Sequence, residues 1–353
     1  MQHVSCSTRP HPRTATLVCA MLFVALLELW SAHFARADEV VLQPRPDEPG
    51  RILLTGRVID HSGAGLVMET AAGARQTVPS KQVVEVRTVW PSQRAIADDH
   101  WRRCDFVAAL AAYESAVAAE ARPWARRVLQ ARTVTVLREL RRWDAAGERF
   151  LEFVRDDPAS PQFDVIPLAW TAAAPSVAAE SKARTWLADR SSNVAGLLGA
   201  SLLLSTSSRV DALRRLRELA LDGDARIARL AEAQLWRTAA VTADAAQIGD
   251  WQRAIEKLPE PLRAGPYLVV GRAWGTRNEP ELAALLLLRV PILYDDQPHL
   301  ASEALWSAGQ MLERLGQPTE AAEVYRELLR DHATAAMAAG AAERLRELRP
   351  NTP

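Results

Sequence analysis

The sequence repeats one helical pattern within its larger, C-terminal part. An aromatic residue, an alanine three positions later and a second aromatic four positions beyond occur twice, at Phe106, Ala109 and Tyr113, then at Trp143, Ala146 and Phe150. Two helices approach to about 8 Å only where a side chain is small, so each alanine marks a helix contact. Helical hairpins that repeat in this way stack on their neighbours to bury their apolar faces. The pattern therefore predicts an array of helical hairpins.

Two further units lie near the C-terminal end of the helical region. In the last unit, 306–312 supplies a first helix, 315–318 a turn and 320–325 a second helix. This arrangement resembles the tetratricopeptide repeat, in which a small residue separates the paired helices. The matching residues are Gly309, Gly316, Ala321 and Tyr325 in the last unit and Tyr267, Gly271, Trp274 and Ala283 in the unit before it.

The resemblance implies stacked antiparallel helix pairs with an inner face that binds an extended segment of another protein. The spacing departs from that of the family. Ala109 and Ala146 are 37 residues apart and Ala283 and Ala321 are 38 apart, against a period of about 34. Loops or helix ends are therefore expected to be longer than in the family.

Residues 159–263 keep helical periodicity but lack the repeat motif. Prolines at 158, 161, 167 and 175 predict a rigid, irregular bridge. Two apolar stripes follow, at Val210, Leu213, Leu216 and Leu219, then at Ile227, Leu230, Ala231, Leu235 and Ala239. The turn at 222–224 separates them, and Asp224 is suited to cap the second helix. This pair resembles a HEAT-like helical hairpin, which keeps the solenoid continuous.

Residues 38–90 have a different pattern, with short β-branched runs separated by glycine turns. Strands are predicted at 39–42, 51–59, 66–70, 75–78 and 83–87, with a turn at 61–65. So small a sheet has to curl or close to hide one apolar face, and its strand pattern resembles an SH3-like or Sm-like barrel. Asp60, His61 and Ser62 are interpreted as turn residues and not as a catalytic set.

The first 37 residues have the pattern of a secretory signal. Arg9 and Arg13 precede an apolar run over 15–27, and 35–37 offers a small-x-small cleavage site. The run is shorter than the roughly 20 apolar residues of a spanning helix, so an uncleaved anchor is the weaker alternative. We therefore predict an exported protein, periplasmic or envelope-associated, which meets a membrane only through this segment.

Composition and motifs argue against several functional classes. The 43 basic residues balance the 43 acidic ones, which gives no electrostatic attraction to nucleic acid. Phosphate-loop, HExxH, CxxC and GxSxG motifs are absent from the sequence. Asp98, Asp99 and His100 are adjacent in a predicted helix and point about 100° apart, so they cannot face one ion. The sequence thus predicts neither an enzyme nor a cofactor or metal site.

The first helix of each repeat presents a candidate binding face towards the groove. The residues assigned to this face are Arg94, Trp101, Arg138, Arg272, Trp306 and Gln310. Arginines beside aromatic residues suit an extended peptide that carries carboxylates. Trp143 and Trp274 fall at core positions of the repeat and are expected to be buried.

These observations predict a mainly α fold, a TPR/HEAT-like α-solenoid preceded by a small β-barrel-like domain. The predicted segments are 1–37, 38–90, 91–158, 159–263, 264–345 and a disordered tail at 346–353. The expected function is that of an exported scaffold for protein–protein interaction, used in envelope assembly. The alternative is a ligand-binding or enzyme-accessory module that uses the β domain or the central helical bridge.

Overall fold

The computed structural model describes residues 37–44 and 50–348, which form two compact units that divide between Trp90 and Pro91. Nearly all of the predicted signal segment, and most of the predicted tail, lie outside the described residues. Among the residues that are described, no helix has both the length and the apolar character needed to cross a membrane.

The first unit contains a five-stranded antiparallel sheet. Its strands are β1 (Asp38–Leu42), β2 (Ile52–Ser62), β3 (Gly65–Glu69), β4 (Arg75–Val78) and β5 (Val83–Arg87). The strand order is β4-β3-β2-β1-β5, so β1 pairs with both β2 and the last strand. Residues of β1, β2 and β3 supply most of the buried side chains, among them Val40, Val58, Leu66 and Met68, and β1 is buried almost throughout. β4 and β5 stand at the two edges of the sheet, and a closed barrel remains a prediction.

The predicted turn at 61–65 is too long. Residues 60–62 belong to β2, where His61 pairs with Leu66 and Ser62 pairs with Gly65. Only residues 63 and 64 form the turn, because Gly65 adopts a φ of 148° that lets the returning strand start at once. His61 is buried in the strand, so its interpretation as a turn residue is wrong.

The secondary structure described in the second unit consists of helices joined by loops. The helices of its N-terminal half are α1 (Ser92–Arg102), α2 (Phe106–Ala119), α3 (Pro123–Glu139), α4 (Trp143–Asp156), α5 (Val177–Ala188), α6 (Asn193–Leu203) and α7 (Arg209–Leu219). Those of its C-terminal half are α8 (Ala225–Ala239), α9 (Ala245–Ile255), α10 (Ala264–Thr276), α11 (Pro280–Leu293), α12 (Pro298–Arg314), α13 (Pro318–Asp331) and α14 (Ala338–Glu347). Consecutive helices pack as antiparallel pairs, which confirms the predicted fold class. Helix α14 continues two residues past the predicted start of the tail.

The four predicted repeat hairpins share one turn geometry. Each turn holds a residue in the left-handed region, at Cys104, Arg141, Asn278 and Gly316, with φ values of 57°, 57°, 62° and 72°. The next residue donates its N–H to a carbonyl five positions earlier, at 3.0, 2.9, 3.1 and 3.0 Å in the four turns. This is the hydrogen bond of a Schellman motif, which satisfies a carbonyl at the end of the first helix. The same turn recurs even where glycine does not.

Small residues separate the paired helices, as the sequence predicts. The alanines at 109, 146, 283 and 321 are fully buried. Gly309 lies against the ring of the buried Tyr325, and a Cβ there would overlap the ring. In the preceding hairpin, a Cβ at Gly271 would lie 2.8 Å from Cγ of Leu287. Each glycine is 16 residues before its partner, so the two hairpins use the same contact.

The bridge region contains two hairpins, α5 with α6 and α7 with α8. Asp224 caps α8 as predicted, because its carboxylate accepts a hydrogen bond from the N–H of Arg226 at 2.9 Å. The predicted stripe on α7 is rotated from the observed one. Val210 is exposed, and the buried residues are Ala212, Arg215, Leu216 and Leu219. An arginine inside this stripe hides the true periodicity from the sequence.

Candidate functional site

Three adjoining cavities lie within the helical unit, with volumes of 530, 200 and 430 Å³. The first and second share Trp170 and Thr171 as walls, and the second and third share Arg272. The first and third share Glu303 and Met337. Because they share wall residues, the three cavities are neighbours, and they are together called the interior channel below.

The first cavity lies where the N-terminal hairpins of this unit meet its C-terminal hairpins. Glu139 at the end of α3 accepts a hydrogen bond from the backbone N–H of His299 at 2.8 Å and pairs with its ring Nδ1 at 2.7 Å. His299 is the second residue of α12, so the carboxylate sits at a helix N-terminus 160 positions away in the chain. The Cys104 thiol also lies 3.8 Å from the Asp331 carbonyl oxygen. These contacts join the first and last repeats.

The Glu139 carboxylate is buried and has a guanidinium nearby. The Glu139 side chain is 2 % exposed, and Nε of Arg138 lies 3.8 Å from its Oε1. Burial acts to raise the pKa of Glu139, but His299 and Arg138 together hold it below its ordinary value. Burial lowers the pKa of Arg138, against the opposing charges of Glu139, Asp296 and Asp164. The carboxylate is therefore ionised at neutral pH and ties the two ends of the unit together.

The first cavity also contains a cysteine and a second histidine, Cys104 and His332. Burial, followed by the charges of Glu139 and Asp331, raises the pKa of the Cys104 thiol. A nucleophilic cysteine requires the opposite shift, towards the thiolate. Burial lowers the pKa of His332. Within the described ranges, no group of three or more His, Cys, Asp or Glu side chains could hold a metal ion.

Three tryptophans line the channel, namely Trp143, Trp170 and Trp306. Trp143, predicted to be a core residue, is only partly buried and meets the ring of His299 edge-on at a centroid distance of 6.2 Å. This prediction is wrong, because the Trp143 side chain lines the first cavity instead of being enclosed by the repeat. Trp274 is buried, as predicted. Trp170 lies flat on α10, where Gly265 leaves room for its ring.

Four of the six predicted groove residues line the channel. Arg138 borders the first cavity, and Arg272, Trp306 and Gln310 border the third. The Arg272 guanidinium is fixed by the carboxylate of Glu303, with Nη2 2.7 Å from Oε2. Trp306 rests on the ring of Tyr325, and Gln310 is exposed.

The other two predicted residues, Arg94 and Trp101, line none of these three cavities. Arg94 pairs with Asp98 on its own helix, with 3.5 Å between Nε and Oδ2. Trp101 packs against Phe106 across the first turn, with 5.3 Å between the ring centroids. Both side chains stabilise the first hairpin.

Two contributions to the channel were not predicted from the sequence: the one from the bridge, and the one from the contact between the first and last repeats. Trp170 lies in the proline-rich stretch, where no helical period marks its direction. His299 pairs with a residue 160 positions away. A contact at that separation leaves no local signal in a single sequence. The prolines were the usable signal, because they indicated a non-helical segment that has to be held by side chains from elsewhere.

Comparison with known proteins adds little to this description. The chain matches no protein-family model, and the search of curated proteins gives no match. Among solved structures, it is similar to a tetratricopeptide repeat protein from Parabacteroides merdae ATCC 43184 at 12 % identity and a TM-score of 0.39. The similarity covers 72 % of this chain and 97 % of that one. A similarity at this TM-score does not assign the chain to a family, and the fold is described from its own helices and strands.

Proposed function

We propose that this protein is a scaffold that binds an extended segment of a partner protein in the interior channel of its helical unit. The observation that supports this function is that three neighbouring cavities share wall residues within one helical unit. Its walls come from the first repeats, the bridge and the last repeats, so a segment several residues long can contact helices from the whole unit. An isolated pocket would suit a single small ligand better.

The side chains in the channel favour a peptide. Trp143, Trp170 and Trp306 each present part of a ring to the channel. Arg138 and Arg272 lie between them. Tryptophan and arginine are the residues most enriched at sites that dominate protein–protein binding energy. The apparent secretory signal at 1–37 extends the proposal to an exported location, with a partner in the cell envelope.

Site-specific photocrosslinking tests this function. A benzoylphenylalanine at Gln310, which is exposed inside the channel, is expected to capture a partner in the native cells. The crosslinked positions on the partner should fall within one short, extended segment. Val177 provides the matched control, because it is 87 % exposed and lines none of the three cavities. Equal capture of the same segment from both positions would contradict the proposed site.

A small organic ligand is the second candidate, since the first cavity alone has the volume of a typical ligand site at 530 Å³. The two candidates differ in which positions report binding. A ligand confined to the first cavity would leave crosslinking at Gln310 without a defined product, whereas a bound segment would be captured there.

A further inference from the structure

The second cavity of the channel is built around a partly buried arginine. Arg237 on α8 donates from Nη1 to the carbonyls of Ala169 and Ser201, both at 2.9 Å, and to Oε1 of Gln234 at 2.6 Å. Its Nη2 donates to the carbonyl of Thr171 at 2.6 Å. A guanidinium has five N–H groups. Nε and one N–H of Nη2 therefore have no protein acceptor in the described part of the chain.

No negative charge balances this guanidinium. The cavity is lined by three arginines, Arg209, Arg237 and Arg272, and by no carboxylate. Within the described ranges, Arg237 and Arg209 form no ion pair, whereas Arg272 is paired with Glu303. Burial, followed by the charge of Arg209, lowers the pKa of Arg237 to about 10. A partly buried guanidinium is held here by neutral carbonyl and amide oxygens without a counter-charge, so the site favours an anion that supplies one.

Arg209 is placed where a helix disfavours it. It is the first residue of α7, and the positive end of the helix dipole repels a cation there. Its side chain is exposed and has no hydrogen bond to a described residue, so it adds nothing to the fold that would compensate for this position. The residue does face the cavity that holds Arg237.

The remaining walls define the kind of anion. Trp170, Leu204, Ala240 and Val269 form an apolar part of the lining, and the hydroxyl-bearing Thr171, Ser205 and Thr238 complete it with the arginines. An inorganic anion is polar on all sides and fits such walls poorly. A carboxylate on a short hydrocarbon stem places its charge at the arginines and its stem against the apolar side chains.

We propose that Arg209 and Arg237 form a subsite for a carboxylate carried on a short hydrocarbon stem. This inference rests on the proposed function, under which the carboxylate belongs to an aspartate or glutamate side chain of the segment in the channel. The subsite shares walls with both other cavities, so an acidic residue there would anchor a segment that also enters one of them.

Titration with small probes tests the subsite in the full-length protein without any peptide. Pentanoate is expected to bind, and the isosteric neutral pentanamide to bind at least about tenfold more weakly, as the loss of a charge-assisted hydrogen bond implies. Arg209→Ala should weaken pentanoate binding by a similar factor. Arg237 is a poor choice for substitution, because it also holds the bridge carbonyls. Arg217→Ala, an exposed arginine on the same helix outside the cavity, should leave binding unchanged.

Equal affinity for pentanoate and pentanamide, or unchanged pentanoate binding in Arg209→Ala, would overturn the subsite. Tighter binding of inorganic phosphate than of pentanoate would overturn the assignment to a carboxylate on a stem. The Gln310 crosslink tests the source of the carboxylate, because Arg209→Ala should lower its yield and Arg217→Ala should not. An unchanged yield would overturn the peptide carboxylate and leave the scaffold function standing. If no segment is captured at all, the scaffold function fails, while the pentanoate titration still decides the subsite.

Discussion

The shared hairpin turn predicts stability changes of opposite sign at equivalent positions. Arg141 and Gly316 both occupy the left-handed region, at φ of 57° and 72°. A side chain there costs about 1–2 kcal/mol, and the extra freedom of glycine in the unfolded chain returns about 0.5–1 kcal/mol of this. Arg141→Gly should therefore raise the free energy of unfolding by roughly 0.5–1 kcal/mol. Gly316→Ala should lower it by roughly the same amount.

The structure isolates the backbone contribution in this comparison. A Cβ at Gly316 would meet nothing within 4 Å, so the loss in Gly316→Ala comes from the backbone alone. Gly223 has equally open surroundings but no positive φ. Gly223→Ala should therefore be neutral or slightly stabilising, because alanine narrows the unfolded ensemble.

Urea denaturation followed by circular dichroism measures these changes as shifts in the midpoint at constant m-value. Asn278→Gly should give a smaller gain than Arg141→Gly, because asparagine tolerates the left-handed region better than arginine. Equal effects of Gly316→Ala and Gly223→Ala, or a loss of stability in Arg141→Gly, would refute the reasoning that these turns share one geometry.

Three further variants test the packing and the closure of the helical unit. Gly309→Ala should lose about 1–3 kcal/mol of stability, because the added methyl overlaps the buried ring of Tyr325. Asp224→Ala should lose about 1 kcal/mol by removing the N-cap of α8. Glu139→Gln should weaken the contact with His299 and lower the melting temperature at neutral pH. The lowered pKa of Glu139 gives stability that is present above its unfolded value of 4.5 and is lost as the pH falls further, so wild type and Glu139→Gln should converge in acid.

Gly309→Ala has a matched control variant, and Glu139→Gln has a pH profile that could contradict its explanation. Gly249→Ala adds a methyl whose nearest neighbour, at 3.7 Å, is the flexible end of Arg253, and it should not destabilise. If Gly249→Ala lowers the free energy of unfolding as much as Gly309→Ala does, close helix contact cannot be the reason for the loss in Gly309→Ala. The difference in stability between wild type and Glu139→Gln should shrink as the pH falls. A difference that stays constant from neutral to acidic pH would contradict the stabilising role of the ionised Glu139 carboxylate.

The helical hairpins were predictable because their determinants are local. The buried alanines, the glycine at 309 and the aromatic partner at 325 recur at fixed spacing, and that spacing alone indicates paired helices. Asp224 could be assigned as a cap for the same reason. The buried stripe on α7 could not be predicted in this way, because it includes an arginine. Arg215 has the residue type of a surface position, but it is buried through its contacts with Asn193 and Glu218.

The channel was only partly predictable because its geometry depends on distant contacts. The repeat template indicated Arg272, Trp306 and Gln310 as one face of neighbouring helices, and the structure places them in one cavity. The template gave no information on the contact between Glu139 and His299, whose ring Trp143 meets. Arg237 holds the bridge through carbonyl oxygens, and carbonyls carry no sequence signature.

The claim that the interior channel binds a partner segment is tested most directly by amide hydrogen exchange. The comparison is between the free protein and the protein bound to a synthetic copy of the captured segment. The segment at 170–172 reports on the channel, because it lies outside the helices and lines two of the cavities. The turn at 221–223 lines none of the three cavities and serves as the reference. If the segment binds in the interior channel, amide exchange should be slower at 170–172 and unchanged at 221–223. Slowing confined to 221–223, or unchanged exchange at 170–172 with the segment bound, would contradict binding in the channel.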